Sequence, residues 1–125
     1  DLTGLTALAD QKAKSLGTPG RKRLEIARVL ATEPKLMLLD EALAGLTPSE
    51  VQLAIELVRQ IHQSGITLVI VEHIMEVILS LTDRVLVFNQ GKVIASGAPT
   101  DVVNDPAVIE AYLGRSQNKN REQNK

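Results

Sequence analysis

Residues 36–73, LMLLDEALAGLTPSEVQLAIELVRQIHQSGITLVIVEH, decide the fold. The stretch opens on Leu36, Met37, Leu38 and Leu39, an uninterrupted apolar run that reads as a parallel strand buried on both faces. It stops abruptly at Asp40 and Glu41. Thr47 can then cap a helix, Pro48 suits its first position, and Glu50 completes a Thr-x-x-Glu capping box. Val51, Ala54, Ile55, Val58 and Ile61 recur at helical spacing, with Leu53 and Leu57 widening the stripe, until Ser64-Gly65 supplies a stop. Thr67 to Val71 is a second β-branched, apolar strand. The unit is therefore strand-helix-strand, with parallel neighbouring strands and a right-handed crossover.

The N-terminal side predicts a helix over 2–13, a glycine-containing break at 16–20, and a helix from Arg21 to about Ala31, with Pro34 beyond it. On the C-terminal side, 74–81 predicts a short helix. Strands over 84–88 and 92–95 flank Asn89-Gln90-Gly91 as a hairpin turn. Asp105-Pro106 starts a short helix through Tyr112 that Gly114 can end. Residues 115–125 are polar and carry no apolar anchor, so they read as a disordered tail. The chain opens on Asp1 without an initiator Met or signal-like segment and reads like a fragment.

Composition narrows the class. The formal net charge is −1, but 115–125 holds four basic groups and one acid, which leaves −4 on 1–114 and does not favour a nucleic-acid binder. Lys12, Lys14, Arg21, Lys22 and Arg23 could form a basic patch, yet only two aromatic residues accompany them. There is no cysteine, so disulfides, thiolate metal sites and cysteine nucleophiles are excluded for this sequence. The apolar runs are far shorter than the ~20 residues of a membrane-spanning helix.

Chemistry is expected where strands end, because ligands of open parallel sheets bind outside the carboxyl ends of the strands. Asp40 and Glu41 stand at one such end, and His73 follows Val71-Glu72 at the other. An aspartate there can hold Mg²⁺ through water, and a neighbouring glutamate can polarise an attacking water. An imidazole can donate to a phosphate oxygen. Leu16, Gly17, Thr18, Pro19 and Gly20 form a small-residue loop at a helix start, where exposed amides could hold phosphate. Each feature alone has a plainer explanation, in a strand simply ending in polar residues or a solvated turn.

Together, Leu-Glu-Ile-Ala-Arg at 24–28, the apolar run into Asp40-Glu41, and His73 resemble an ATP-binding-cassette domain over residues 1–114. The resemblance implies an α/β, P-loop NTPase-like fold: the C-terminal half of a nucleotide-binding domain, with a mostly parallel sheet and flanking helices. It makes 16–20 the signature loop facing the partner subunit's ATP, 36–41 the Walker B segment, and Ala44, Gly45, Leu46 and Thr47 the D-loop. Glu41 and His73 become catalytic and Asp40 the Mg²⁺ residue. ATP and Mg²⁺ are the implied cofactors.

The implied partners are a second ATPase subunit, in a homo- or heterodimer, and membrane permease subunits. The implied place is the cytoplasmic face of the cell membrane, without insertion. The segments 71–73, 89–97 and 109–114 look like ATPase subunits of branched-chain amino acid importers.

Two positions depart from the family pattern. Its Leu-Ser-Gly-Gly-Gln is Leu16-Gly17-Thr18-Pro19-Gly20 here, so the serine hydroxyl is missing at Gly17 and a backbone donor at Pro19. Thr47 stands where the family more often has Asp or Asn, and is expected to serve mainly as a helix cap. The sequence contains no Gly-x-x-x-x-Gly-Lys-[Ser/Thr] phosphate loop. The 125 residues alone are thus expected to bind ATP weakly and not to turn it over. The alternative is a non-catalytic, truncated or regulatory module that keeps the dimer and permease surfaces.

Overall fold

The computed structural model describes residues 2–113, in two compact units that divide between His73 and Ile74. The first is built on helix α1 (Thr18–Leu30), strand β1 (Leu36–Asp40), helix α2 (Pro48–Gln63) and strand β2 (Thr67–Val71). The second holds α3 (Met75–Leu81), β3 (Val85–Asn89), β4 (Lys92–Gly97), α4 (Pro99–Val103) and α5 (Pro106–Val108), with a π-helical turn over Ile109–Leu113.

In the first unit β1 and β2 pair in parallel, Leu36 opposite Thr67 through Asp40 opposite Val71, so both strands end at the same level. The connecting α2 begins as its sequence dictates. The Thr47 side chain accepts from the Glu50 N–H, the Glu50 side chain accepts from the Thr47 N–H, and Pro48 takes the first turn. Val51, Ile55, Leu57, Val58 and Ile61 are buried and Ser64 closes the helix. Leu53 is exposed and does not widen the stripe. With Ile26, Met37, Leu39 and Leu43 these residues form the buried apolar set of the unit. A fully buried Ile61 alone contributes roughly 1.5–3 kcal/mol of transfer free energy.

The structure departs from the sequence reading at three further places. Residues 2–13 do not form a helix: they make two 3₁₀ turns, Thr6–Leu8 and Ala13–Ser15, neither of which buries a residue. Helical spacing without a covered apolar face does not offset the cost of ordering a short helix. Next, α1 starts at Thr18 rather than Arg21, because Pro19 falls in the first turn, where its missing N–H is not needed. Finally, β1 is not buried on both faces. Met37 and Leu39 are buried, whereas Leu36 and Leu38 are 54% and 70% exposed, since one face of this two-stranded sheet is left open.

In the second unit β3 and β4 are antiparallel, with a bulge where Val87 pairs Ala95 and Phe88 pairs Val93. Asn89 pairs Lys92, so the loop is the two residues Gln90 and Gly91, and both have positive φ, 49° and 76°. That is what a primed two-residue turn requires, and glycine supplies it at the second position. The described strands thus form two separate two-stranded sheets, one parallel in the first unit and one antiparallel in the second.

α4 is an addition to the elements expected from sequence. Its signal was Pro99 at the helix start, the same signal that marks α2 and α5. Asp105 caps α5 by accepting from the Ala107 N–H. The Tyr112 hydroxyl donates to the Phe88 carbonyl, which ties the last turn to β3. Gly114 and the tail at 115–125 lie outside the described residues.

Candidate functional site

Because β1 and β2 end in register, the residues that follow them meet at one edge. Glu41 leaves β1 with a φ of 47°, a left-handed conformation that costs a non-glycine residue roughly 1–2 kcal/mol. Its N–H donates to the Val71 carbonyl at 2.9 Å, so the turn away from the sheet is held by β2 itself. The turn directs the Glu41 carboxylate to His73: Oε1 lies 3.4 Å from Nδ1. Both side chains are more than half exposed, at 56% for Glu41 and 67% for His73, and open to an incoming ligand or water.

Asp40, the last residue of β1, shares the exposed register of Leu36 and Leu38. Among the described residues no group of three His, Cys, Asp or Glu could hold a metal ion. A single exposed carboxylate does fit Mg²⁺, which keeps several waters and relies on substrate phosphates for its other ligands.

The segment from Glu41 to α2 consists of tight turns. The Ala44 N–H donates to the Glu41 carbonyl at 3.2 Å and the Leu46 N–H to the Leu43 carbonyl at 3.4 Å, with Gly45 at a φ of 80° between them. Ala44, Gly45 and Thr47 are exposed and Leu46 is half-buried. Thr47 is committed to the cap, as expected.

Residues 16–20 form a separate feature. Gly17 is the N-cap of α1 and supplies no side-chain cap, so the missing hydroxyl leaves the first-turn amides without that acceptor. A Cβ on Gly20 would lie 3.3 Å from the Leu16 Cβ, and this close approach is what glycine permits there. Arg21 is turned back, donating from Nη2 to the Lys14 carbonyl at 3.1 Å. No hydrogen bond or ion pair among the described residues joins 16–20 to Asp40, Glu41 or His73.

A cleft of about 180 Å³ runs between α1 and β1 and reaches Asp40, with Lys22 and Glu25 on its α1 side. It is smaller than the roughly 300–1,000 Å³ of an ordinary cofactor site.

Glu72 was not singled out by the sequence, and the structure gives it a partner. Its Oε1 accepts from the Leu43 N–H at 3.4 Å in a part-buried contact. The alternation of β2 was the available signal, since it sets Glu72 and His73 on opposite faces.

Residues 92–117 match the family model described as branched-chain amino acid ATP-binding cassette transporter. The chain is 39% identical over 114 residues to the high-affinity branched-chain amino acid transport ATP-binding protein LivG of Salmonella typhimurium, which covers 90% of this chain and 45% of that protein. It is 40% identical over 110 residues to the lipopolysaccharide export system ATP-binding protein LptB of Acidithiobacillus ferridurans, covering 88% and 46%. The ADP conformation of MJ1267, an ATP-binding cassette of an ABC transporter, superposes with a TM-score of 0.83 at 34% identity, over 90% of this chain and 46% of that one. The chain thus spans about half the length of the relatives it matches.

Proposed function

We propose that this chain, related over nine-tenths of its length to the ATP-binding subunits of ABC transporters, forms part of an ATPase that powers the uptake of branched-chain amino acids. The observation that carries the catalytic half of this reading is the Glu41–His73 contact of 3.4 Å, at the aligned carboxyl ends of two parallel strands. Glu41 polarises the attacking water, His73 holds Glu41 and the γ-phosphate in register, and Asp40 would hold Mg²⁺. Mg²⁺ neutralises charge on the phosphates when bound.

Residues 16–20 meet the ATP of a partner subunit through the amides of the α1 N-terminus, with Thr18 in place of the absent serine. Residues 44–47 lie at the same dimer interface. The subunit docks on a permease at the cytoplasmic membrane face. No helix among the described residues is long and apolar enough to cross a membrane itself.

Glu41→Gln in a full-length subunit carrying this segment tests the reading. Hydrolysis is expected to fall by roughly 10²–10⁴-fold, with ATP binding retained. Unchanged hydrolysis would remove Glu41 from its role. The 125 residues alone are expected to show no turnover, for want of a phosphate loop in their sequence.

Cargo rests on the 92–117 match, since identity to an importer and to an exporter subunit is nearly equal, 39% and 40%. Leucine uptake by the reconstituted transporter decides it. Lipopolysaccharide-dependent stimulation of the ATPase, without leucine uptake, would reverse the cargo.

A further inference from the structure

We infer that Glu72 is a positioning residue, whose carboxylate fastens the loop leaving β1 to the end of β2 and so sets where Glu41 stands against His73. The inference rests on the proposed hydrolytic site, and deepens it by adding a residue that need not touch substrate.

The two faces of β2 differ in burial. Thr67, Val69 and Val71 are exposed, Leu68 and Ile70 half-buried, and the alternation continues past the strand: Glu72 is half-buried and His73 exposed. A carboxylate thus occupies a register position that β2 otherwise gives to leucine and isoleucine. Withdrawing a carboxylate from water is unfavourable unless it accepts hydrogen bonds, and a charged acceptor makes a stronger bond than a neutral one. Glu72 meets that requirement at the Leu43 N–H, 29 residues away in sequence, where Oε1 accepts at 3.4 Å.

Three ties therefore connect residues 41–43 with residues 71–73. The Glu41 N–H donates to the Val71 carbonyl, the Glu41 carboxylate meets His73 on the open face, and Glu72 takes the Leu43 N–H on the covered face. Glu41 needs such bracing, because its left-handed φ of 47° persists only if its surroundings over-determine it. Leu43 is itself buried, and the Leu46 N–H donates to its carbonyl, so the same anchor reaches the 44–47 loop. His73 and Glu72 clamp one turn from its two sides.

The test has two readouts. In the 125-residue chain, amide hydrogen exchange at Leu43 is expected to accelerate at least about tenfold in Glu72→Ala, with the β1 amides unchanged. Glu72→Gln, which keeps a carbonyl acceptor, is expected to restore most of the protection. Glu72→Leu keeps the packing without the acceptor and serves if the alanine variant does not fold.

In a full-length subunit, Glu72→Leu is expected to lower kcat for ATP by about tenfold with KM nearly unchanged, as a displaced reacting group does, and Glu72→Gln to recover it. Leu43 exchange that ignores all three substitutions overturns the anchor, whatever the enzyme does. Faster exchange with unaltered kcat, in a subunit that Glu41→Gln does inactivate, overturns the positioning role. If Glu41→Gln is also without effect, the hydrolytic site itself is what has failed, and the positioning role falls with it.

Discussion

Thr47→Ala is the perturbation whose size follows most directly from the structure. The Thr47 hydroxyl accepts from the Glu50 N–H at 3.4 Å, and the Glu50 carboxylate accepts from the Thr47 N–H at 2.8 Å. Alanine removes the first bond and leaves the second, at an exposed N-cap where such a change costs about 0.5–2 kcal/mol. The geometry places it near the middle: the lost bond is long, while the retained one is short and charge-assisted. With a urea dependence of about 1–3 kcal/mol per molar for a small domain, a loss of ~1 kcal/mol moves the unfolding midpoint down by roughly 0.3–1 M. Urea titration followed by far-UV circular dichroism reads this directly.

Thr47→Asp should keep the midpoint within ~0.2 M, since aspartate caps as well as threonine and adds a charge favourable to the helix N-terminus. An alanine variant with an unshifted midpoint, or an aspartate variant as unstable as alanine, would refute the assignment of Thr47 to the cap. Hydrolysis by a full-length Thr47→Asp subunit then reports on the interface role of the loop without a change in folding.

The remaining expectations concern α1 and the core. Gly17→Ser supplies the hydroxyl that the α1 N-cap lacks; it should stabilise by a few tenths of a kcal/mol and raise Tm by about 1–4 °C in thermal melts, and a lowered Tm would show that the N-cap is misplaced. Ile61→Ala empties a fully buried position and should cost about 2–5 kcal/mol in urea titration, enough to unfold a marginal domain; a loss under ~1 kcal/mol would mean that the α2 stripe is not the core. Arg21→Ala removes the donor to the Lys14 carbonyl and should speed proteolysis within 12–16 while shifting Tm by less than ~2 °C, whereas an unchanged cleavage pattern would show that the tie does not hold that turn.

How much was legible in the sequence depended on the range of the interactions involved. The capping box of Thr47 and Glu50 joins residues three apart, the β2 limits follow from an apolar run bounded by polar residues, and the parallel pairing follows from the strand-helix-strand order; all were found as predicted. Asp40, Glu41 and His73 could be named as candidates because strand ends are local signals. The helix predicted over 2–13 failed for the converse reason: its pattern was helical, but none of its apolar side chains is fully buried. α1 began three residues early because a proline in a small-residue run reads equally as a loop and as a first helical turn.

The β1–α2–β2 unit, the β3–β4 hairpin and the caps of α2 and α5 were legible along the chain, and Asp40, Glu41 and His73 could be named as candidates, because caps, turns and periodicity act within a few residues. Contacts between distant segments set the left-handed turn that brings Glu41 to His73, the opposite orientation of Glu72 toward Leu43, and the open face of β1. Those facts depend on pairing segments some thirty residues apart and on which faces other segments cover, and no local pattern of side chains encodes them.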